Sequence, residues 1–217
     1  MKTPKDYSID LAYSYKSPSD LKRYYDDSAE QYDEFVSAVK YVLPSRVVDI
    51  AREFFGDKPE RAIDIGCGTG LIGVNVGVKM PSLILDGLDI SPNMIYQAYD
   101  KKRRGGNRCY SSLILSDATR EKALESERYT LMLSAGTFTL GHLKPEHLET
   151  LLGSLVKDGM AVISIKSDHY EKEDFLGWFS DAEKRGIIAT RALISVDSFD
   201  NPNYSAESIV AVLEKRP

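Results

Sequence analysis

The chain is poor in cysteine. Cys67 and Cys109 are the only two among 217 residues, too few for a disulfide framework and without the C-x-x-C spacing of a metal site. It also lacks a long apolar run. Nothing approaches the ~20 residues of a membrane span, and Met1 to Asp20 is polar, without the apolar centre of a signal peptide. The expected setting is a reduced cytoplasm, with no membrane partner. An excess of basic charge is absent too: 28 Lys and Arg stand against 33 Asp and Glu, a net charge of −5. Nucleic acid needs a basic face, so a nucleic-acid partner is not expected. Histidine is scarce, with only His142, His147 and His169. There is no internal repeat and no low-complexity stretch. What remains is an ordinary globular composition, 42% hydrophobic and 28% charged, long enough for one α/β domain.

The most informative stretch is Arg61 to Gly73, RAIDIGCGTGLIG. Ala62, Ile63 and Ile65 make a short apolar run suited to a buried parallel strand. Gly66, Gly68 and Gly70 follow, then Leu71, Ile72, Val74 and Val76 to Val78 begin a helix. A strand-to-helix turn this tight needs positive φ, which glycine adopts at little cost. Missing side chains also let a ligand reach backbone N–H groups at a helix N-terminus. Two patterns fit. Gly68 to Gly73 matches G-x-G-x-x-G, the dinucleotide form, which implies an NAD(P)-dependent oxidoreductase. Asp64 to Gly70 matches D-x-G-x-G-x-G, a longer and more specific pattern suited to a nucleoside cofactor with an amino-acid tail. Against the dinucleotide reading, no Tyr-x-x-x-Lys pair or second catalytic domain follows.

Periodicity predicts helices over Leu21–Val42 and Ser45–Phe55 ahead of this turn. Downstream it predicts strands at Leu83–Asp89, Tyr110–Leu115, Tyr129–Ala135 and Met160–Ile165, and a final pair at Ala192–Val196 and Ser208–Glu214. Helices are expected at Pro92–Lys102, Pro145–Val156 and Asp174–Arg185. Asp64, Asp89 and Asp117 each fall within or just after one of three successive strands. Strand C-terminal edges are where open α/β sheets bind ligands, so one shared ligand is expected there. Asp89 can accept from ribose hydroxyls or cap the helix after it, although Ser91 before Pro92 caps better. Asp117 can meet a ligand or cap its own turn. Tyr25, Ala29 and Tyr32 share one helical face, which packs on the core or faces a ligand. The run Lys101 to Arg104 is read as complementing a helix C-terminus before a glycine loop.

The motif at Asp64 to Gly70 resembles motif I of class I S-adenosylmethionine (SAM)-dependent methyltransferases. LDISPNMI, Leu88 to Ile95, resembles a second signature of that superfamily. Tyr25 to Asp33 resembles its Y-D-x-x-A-x-x-Y-D segment, and in this region and near the C-terminus the chain is similar to the Williams–Beuren-region methyltransferase-like proteins. Those often carry tryptophan where this chain has Ser28. The resemblance implies a Rossmann-like α/β fold with a seven-stranded, mostly parallel sheet of order 3-2-1-4-5-7-6 and helices on both faces. Residues 1–56 would form an arm and helical lid, and 57–217 the core. It implies SAM as cofactor, S-adenosylhomocysteine (SAH) as product, and a cofactor site built from Tyr25, Tyr32, Asp64, Gly66, Cys67, Gly68, Gly70, Asp89, Ile90, Met94, Asp117, Ala118 and Ser134. His142 and His169, beyond the fourth and fifth strands, are candidate bases; His142 serves equally as a loop residue bonding backbone. His147 is expected on an exposed helix face. Ser134-Ala135-Gly136-Thr137 lacks the N/D-P-P-Y/F sequence of adenine or glutamine amide methylation, and no Pro-Cys nucleophile is present. A small-molecule acceptor, methylated on O or N, is the class left, with a non-catalytic SAM-binding role as the alternative without turnover.

Overall fold

The computed structural model describes residues 18–58 and 60–217. The polar arm expected at the N-terminus therefore lies, up to residue 17, outside the described residues. Elements follow in the order α1 (Pro18–Ala38), α2 (Leu43–Phe55), β1 (Arg61–Ile65), α3 (Leu71–Lys79), β2 (Ile84–Asp89), α4 (Pro92–Asp100), β3 (Ser112–Leu115), β4 (Tyr129–Phe138), α5 (Pro145–Leu152), β5 (Leu155–Lys166), α6 (Ser167–Lys172), α7 (Phe175–Lys184), β6 (Ile188–Asp197) and β7 (Glu207–Lys215).

The seven strands form one sheet, ordered β3-β2-β1-β4-β5-β7-β6. β1 pairs in parallel with β2 and β4, β2 with β3, and β4 with β5, while β7 runs antiparallel to both β5 and β6. This is the expected topology. Side-chain alternation along each strand divides the core into two layers. Ala62, Leu85, Leu131, Leu133 and Val162 face α2, α3 and α4 through Val47, Ile72, Val76 and Ala98. Ile63, Ile65, Met132, Ile163 and Ile165 face α5 and α7 through Leu148, Leu152, Phe175 and Phe179.

Some boundaries differ from expectation. The helix predicted to reach Val156 stops at Leu152. The carbonyls of Gly153 and Ser154 instead accept from Glu127, Arg128 and Tyr129, and Leu155 pairs with Tyr129. The sheet edge thus captures residues that carry a helical pattern. The Lys157–Gly159 turn sits inside β5, with Asp158 at φ 60°. β4 runs beyond its predicted end at Ala135 to Phe138, across an irregularity between Ser134 and Phe138. Gly136 there has φ 77°, and the displaced register turns Gly136 and Thr137 toward the strand ends.

Candidate active site

The site begins at the turn after β1. Gly66, Gly68 and Gly70 all have positive φ (67°, 53° and 95°), as the turn requires. The backbone N–H of Gly68 donates to Asp89 Oδ2 at 2.8 Å, and Ser91 N–H donates to Oδ1 at 2.8 Å. The carboxylate at the end of β2 thereby ties the glycine turn to the N-terminus of α4. Burial pushes its pKa up, and the N–H donors oppose that shift. Ser91 caps α4, accepting from Met94 N–H at 3.1 Å, as its place before Pro92 suggests.

Asp64, inside β1, is fully buried. Tyr110 Oη donates to its Oδ2 at 2.8 Å and accepts from Gly73 N–H at 3.1 Å. Oδ1 is buried without a partner. Burial raises this carboxyl to about 7, against the Tyr110 bond and with help from the charge of Asp89. Asp64, Cys67 and Thr69 line a small pocket beside the main cleft.

The main cleft, about 870 Å³ and partly open to solvent, lies at the C-terminal ends of β1 to β4. Gly66, Gly68 and Asp89 form its floor, Ile90 and Met94 one side, Asp117 and Ala118 another, and Tyr25 and Tyr32 of α1 its roof. Asp117 Oδ1 accepts from the backbone and hydroxyl of Thr119 at 2.9 and 2.7 Å, so it caps its turn while still facing the cleft. His142 forms the far wall. Its Nε2 lies 3.1 Å from Tyr25 Oη, and its Nδ1 lies 2.8 Å from Thr139 Oγ1 and 3.1 Å from the Leu140 carbonyl. Burial lowers its pKa to about 4, against the bond to Leu140.

Of the expected site residues, Asp64 and Cys67 line only the small side pocket, and three more line neither that pocket nor the main cleft. His169 is buried, packs on Phe175, and its Nε2 donates to the Leu143 carbonyl at 2.8 Å. Helix α6, which the periodicity did not reveal, turns it inward. Ser134 is buried between strands and donates to the Ile65 carbonyl at 2.9 Å. Gly70 N-caps α3, and a Cβ there would meet Lys101, Tyr110 and Ala98, so its small size serves helix packing. His147 is half-buried rather than exposed, and its Nδ1 accepts from Lys144 N–H at 2.9 Å to cap α5.

Other residues emerge only from the structure. Asp33 on α1 accepts from Thr69 Oγ1 of the glycine turn at 2.6 Å and pairs with Lys101. Asp26 accepts from Ser91 Oγ at 2.5 Å, and its carbonyl accepts from Asn93 at 3.0 Å. Each aspartate directly follows a roof tyrosine in the Y-D-x-x-A-x-x-Y-D segment, which is the sequence signal. Ser28 is buried, with its hydroxyl bonding to the Tyr25 carbonyl. In the basic run, Arg103 donates to the Pro81, Leu83 and Cys109 carbonyls, which is a structural use.

Sheet order, glycine turn and strand-edge cleft together define the fold of a class I SAM-dependent methyltransferase. Residues 62–157 match the family described as a methyltransferase domain. Over that stretch the chain is similar to methyltransferase domains in sequence, and its sheet has the order of the class I methyltransferase fold. Over 137 residues the chain is 29% identical to malonyl-[acyl-carrier protein] O-methyltransferase 2 of Ilyobacter polytropus, covering 61% of this chain and 49% of that protein. Over 86 residues it is 36% identical to the 18S rRNA (guanine-N(7))-methyltransferase of Bos taurus, covering 35% and 30%. The chain therefore spans less than half the length of the curated relatives it matches. The crystal structure of a TehB-like SAM-dependent methyltransferase from Corynebacterium glutamicum shares the fold, with a TM-score of 0.62 at 23% identity over 89% of this chain and 99% of that one.

Proposed function

We propose that this protein transfers a methyl group from SAM to a small-molecule acceptor, at oxygen or nitrogen. The observation that carries the reading is the cleft itself. It combines bare glycine backbone, an acidic side chain after β2, an Asp-Ala pair after β3 and a histidine after β4, all at one sheet edge. The residues fit the cofactor. Asp64 Oδ1 is a buried acceptor without a partner, suited to an ammonium group. Gly68 has open space where a Cβ would stand, so a ligand can lie against its backbone. Each Asp89 oxygen already holds one N–H and has a lone pair left for a ribose hydroxyl. Asp117 and Ala118 would take the adenine, and Ile90 and Met94 would give it apolar contact. Cys67 would support the turn from behind.

SAM, when bound, supplies a methyl group already activated by a sulfonium. The protein's own contribution is position and exclusion of water. Tyr25 and Tyr32 would close the roof, making α1 a lid, and His142 would accept a proton from the acceptor. The two malonyl-[acyl-carrier protein] O-methyltransferases among the relatives support an oxygen acceptor. The rRNA methyltransferase matches over a shorter stretch, and the net negative charge favours a small molecule over RNA. The roles are tested by calorimetry and turnover. Asp89→Ala should weaken SAH binding at least ~100-fold, and near-native affinity would remove the ribose assignment. His142→Ala should keep SAH affinity and lower turnover about 100-fold or more; unchanged turnover would exclude it as the base.

A further inference from the structure

The acceptor end of the cleft holds an unusual pair. Tyr25 comes from α1 and His142 from the loop after β4, 117 residues apart, yet Oη and Nε2 are 3.1 Å apart. The proton positions follow from the partners. The Leu140 carbonyl, 3.1 Å from Nδ1, can only accept. Nδ1 therefore carries the hydrogen, Nε2 is a bare acceptor, and Tyr25 Oη donates to it. Thr139 Oγ1 at 2.8 Å from Nδ1 fixes the ring further. Among the described residues, only Asp89 and Asp117 bring charge to the cleft wall, and both belong to the proposed nucleoside end. His169 approaches His142 from behind but is itself buried, with its pKa lowered by burial. Tyr32, the remaining titratable side chain on the roof, packs edge-on against Tyr25. Facing the acceptor, then, are two neutral hydrogen-bonding groups and, among the described residues, no counter-ion for an ammonium or a carboxylate.

We propose that the acceptor is an uncharged hydroxyl compound, whose reacting oxygen rests on Tyr25 Oη and passes its proton through Tyr25 to His142 Nε2. This rests on the methyltransferase reading of the cleft. The step balances. As the oxygen takes the methyl group, its O–H bond breaks and a new O–H forms at Tyr25. The original Tyr25 O–H breaks as Nε2–H forms. The positive charge that arrives with the methyl group ends on the imidazole and leaves as a proton to solvent. An oxygen that has just accepted a methyl cation is a strong acid, and a histidine held at about 4 can still take its proton. An alkylammonium, near the ~10.4 of lysine, is a far weaker acid than this imidazolium. An amine acceptor would enter protonated and find, among the described residues, no group here able to deprotonate it.

The test uses the SAH complex of the full chain with 15N-labelled imidazoles. Calorimetric binding of SAH comes first; a wild type that does not bind SAH would defeat the methyltransferase reading itself, independently of any acceptor preference. Phenol, benzylamine and benzoate are then titrated while the His142 Nε2 resonance is monitored. The expected result, at saturating SAH for each protein, is a saturable shift with phenol, at least ~5-fold weaker binding of benzylamine and benzoate, and loss of the phenol response in Tyr25→Phe. A preference for benzylamine or benzoate would overturn the proposal. So would no response to phenol, or a phenol response unchanged in Tyr25→Phe. If Tyr25→Phe binds SAH poorly, His142→Gln with Tyr25 ultraviolet absorbance as the readout replaces it, under the same criteria.

Discussion

Replacing Asp64 by asparagine should make the protein more stable at neutral pH and weaker at binding SAH. Asp64 is fully buried, with one oxygen on Tyr110 and the other unpartnered. Its pKa rises from 3.8 to about 7, at about 1.4 kcal/mol per pH unit. The ionised form therefore costs about 4 kcal/mol in the folded state. The sign follows from proton uptake. Between 3.8 and about 7 the folded protein holds a proton that the unfolded chain releases, so stability falls as pH rises through that window and levels off above it. Asparagine removes this charge while keeping an acceptor for Tyr110. Its amide adds an unsatisfied buried donor, at a cost of about 1–3 kcal/mol. The net expectation is a gain of about 1–3 kcal/mol at about pH 8. Urea unfolding at several pH values reads this directly. From about pH 5 to about pH 8 the wild type should lose about 2–3 kcal/mol relative to Asp64→Asn. Parallel pH profiles for the two proteins would refute the account of Asp64, as would a variant less stable at the alkaline end. Gain in stability with loss of binding is the pattern expected where a strained group serves a ligand.

Gly66→Ala should destabilise by about 2–5 kcal/mol, combining strain at positive φ with overpacking, because its Cβ would lie 2.3 Å from Thr137 Oγ1. Thr137→Ala in the same chain should recover about 1–3 kcal/mol, and additive thermal-melt losses would contradict the clash. Tyr110→Phe strips a partner from both Asp64 and Gly73, so chemical denaturation should show a loss of about 2–4 kcal/mol; a neutral result would mean water replaces the phenol. Asp33→Ala removes the acceptor that ties α1 to Thr69 and Lys101. These groups are part-exposed and add little to stability, but stopped-flow release of SAH should quicken at least ~5-fold, and an unchanged rate would show that α1 does not gate the cleft.

The sheet order was legible because the motif at Asp64 to Gly70 resembles that of the class I methyltransferases, and the resemblance brought the topology with it. The glycine turn fixed β1 and α3, and the repeated placement of acidic residues at strand ends fixed β2 and β3. Boundaries were less legible where tertiary pairing overrode local pattern. The residues from Gly153 to Val156 carry helical spacing but are drawn toward the sheet by Tyr129. Within the cleft, residues contiguous with a motif were readable, and those that meet across the chain were not. Tyr110 lies 46 residues from Asp64, and nothing local marks it as that carboxylate's partner. His169 follows β5 as a base would, but one short turn of helix sends it into the core. His142 occupies the equivalent place after β4 and stays in the cleft because Thr139 and Leu140 hold its ring.

The most direct test of the central claim is titration calorimetry of the purified protein with SAH, beside NAD and NADP at the same concentrations. The account predicts saturable one-to-one binding of SAH, with no heat from either nicotinamide nucleotide. Binding of NAD or NADP without SAH would contradict it and return the glycine turn to the dinucleotide pattern.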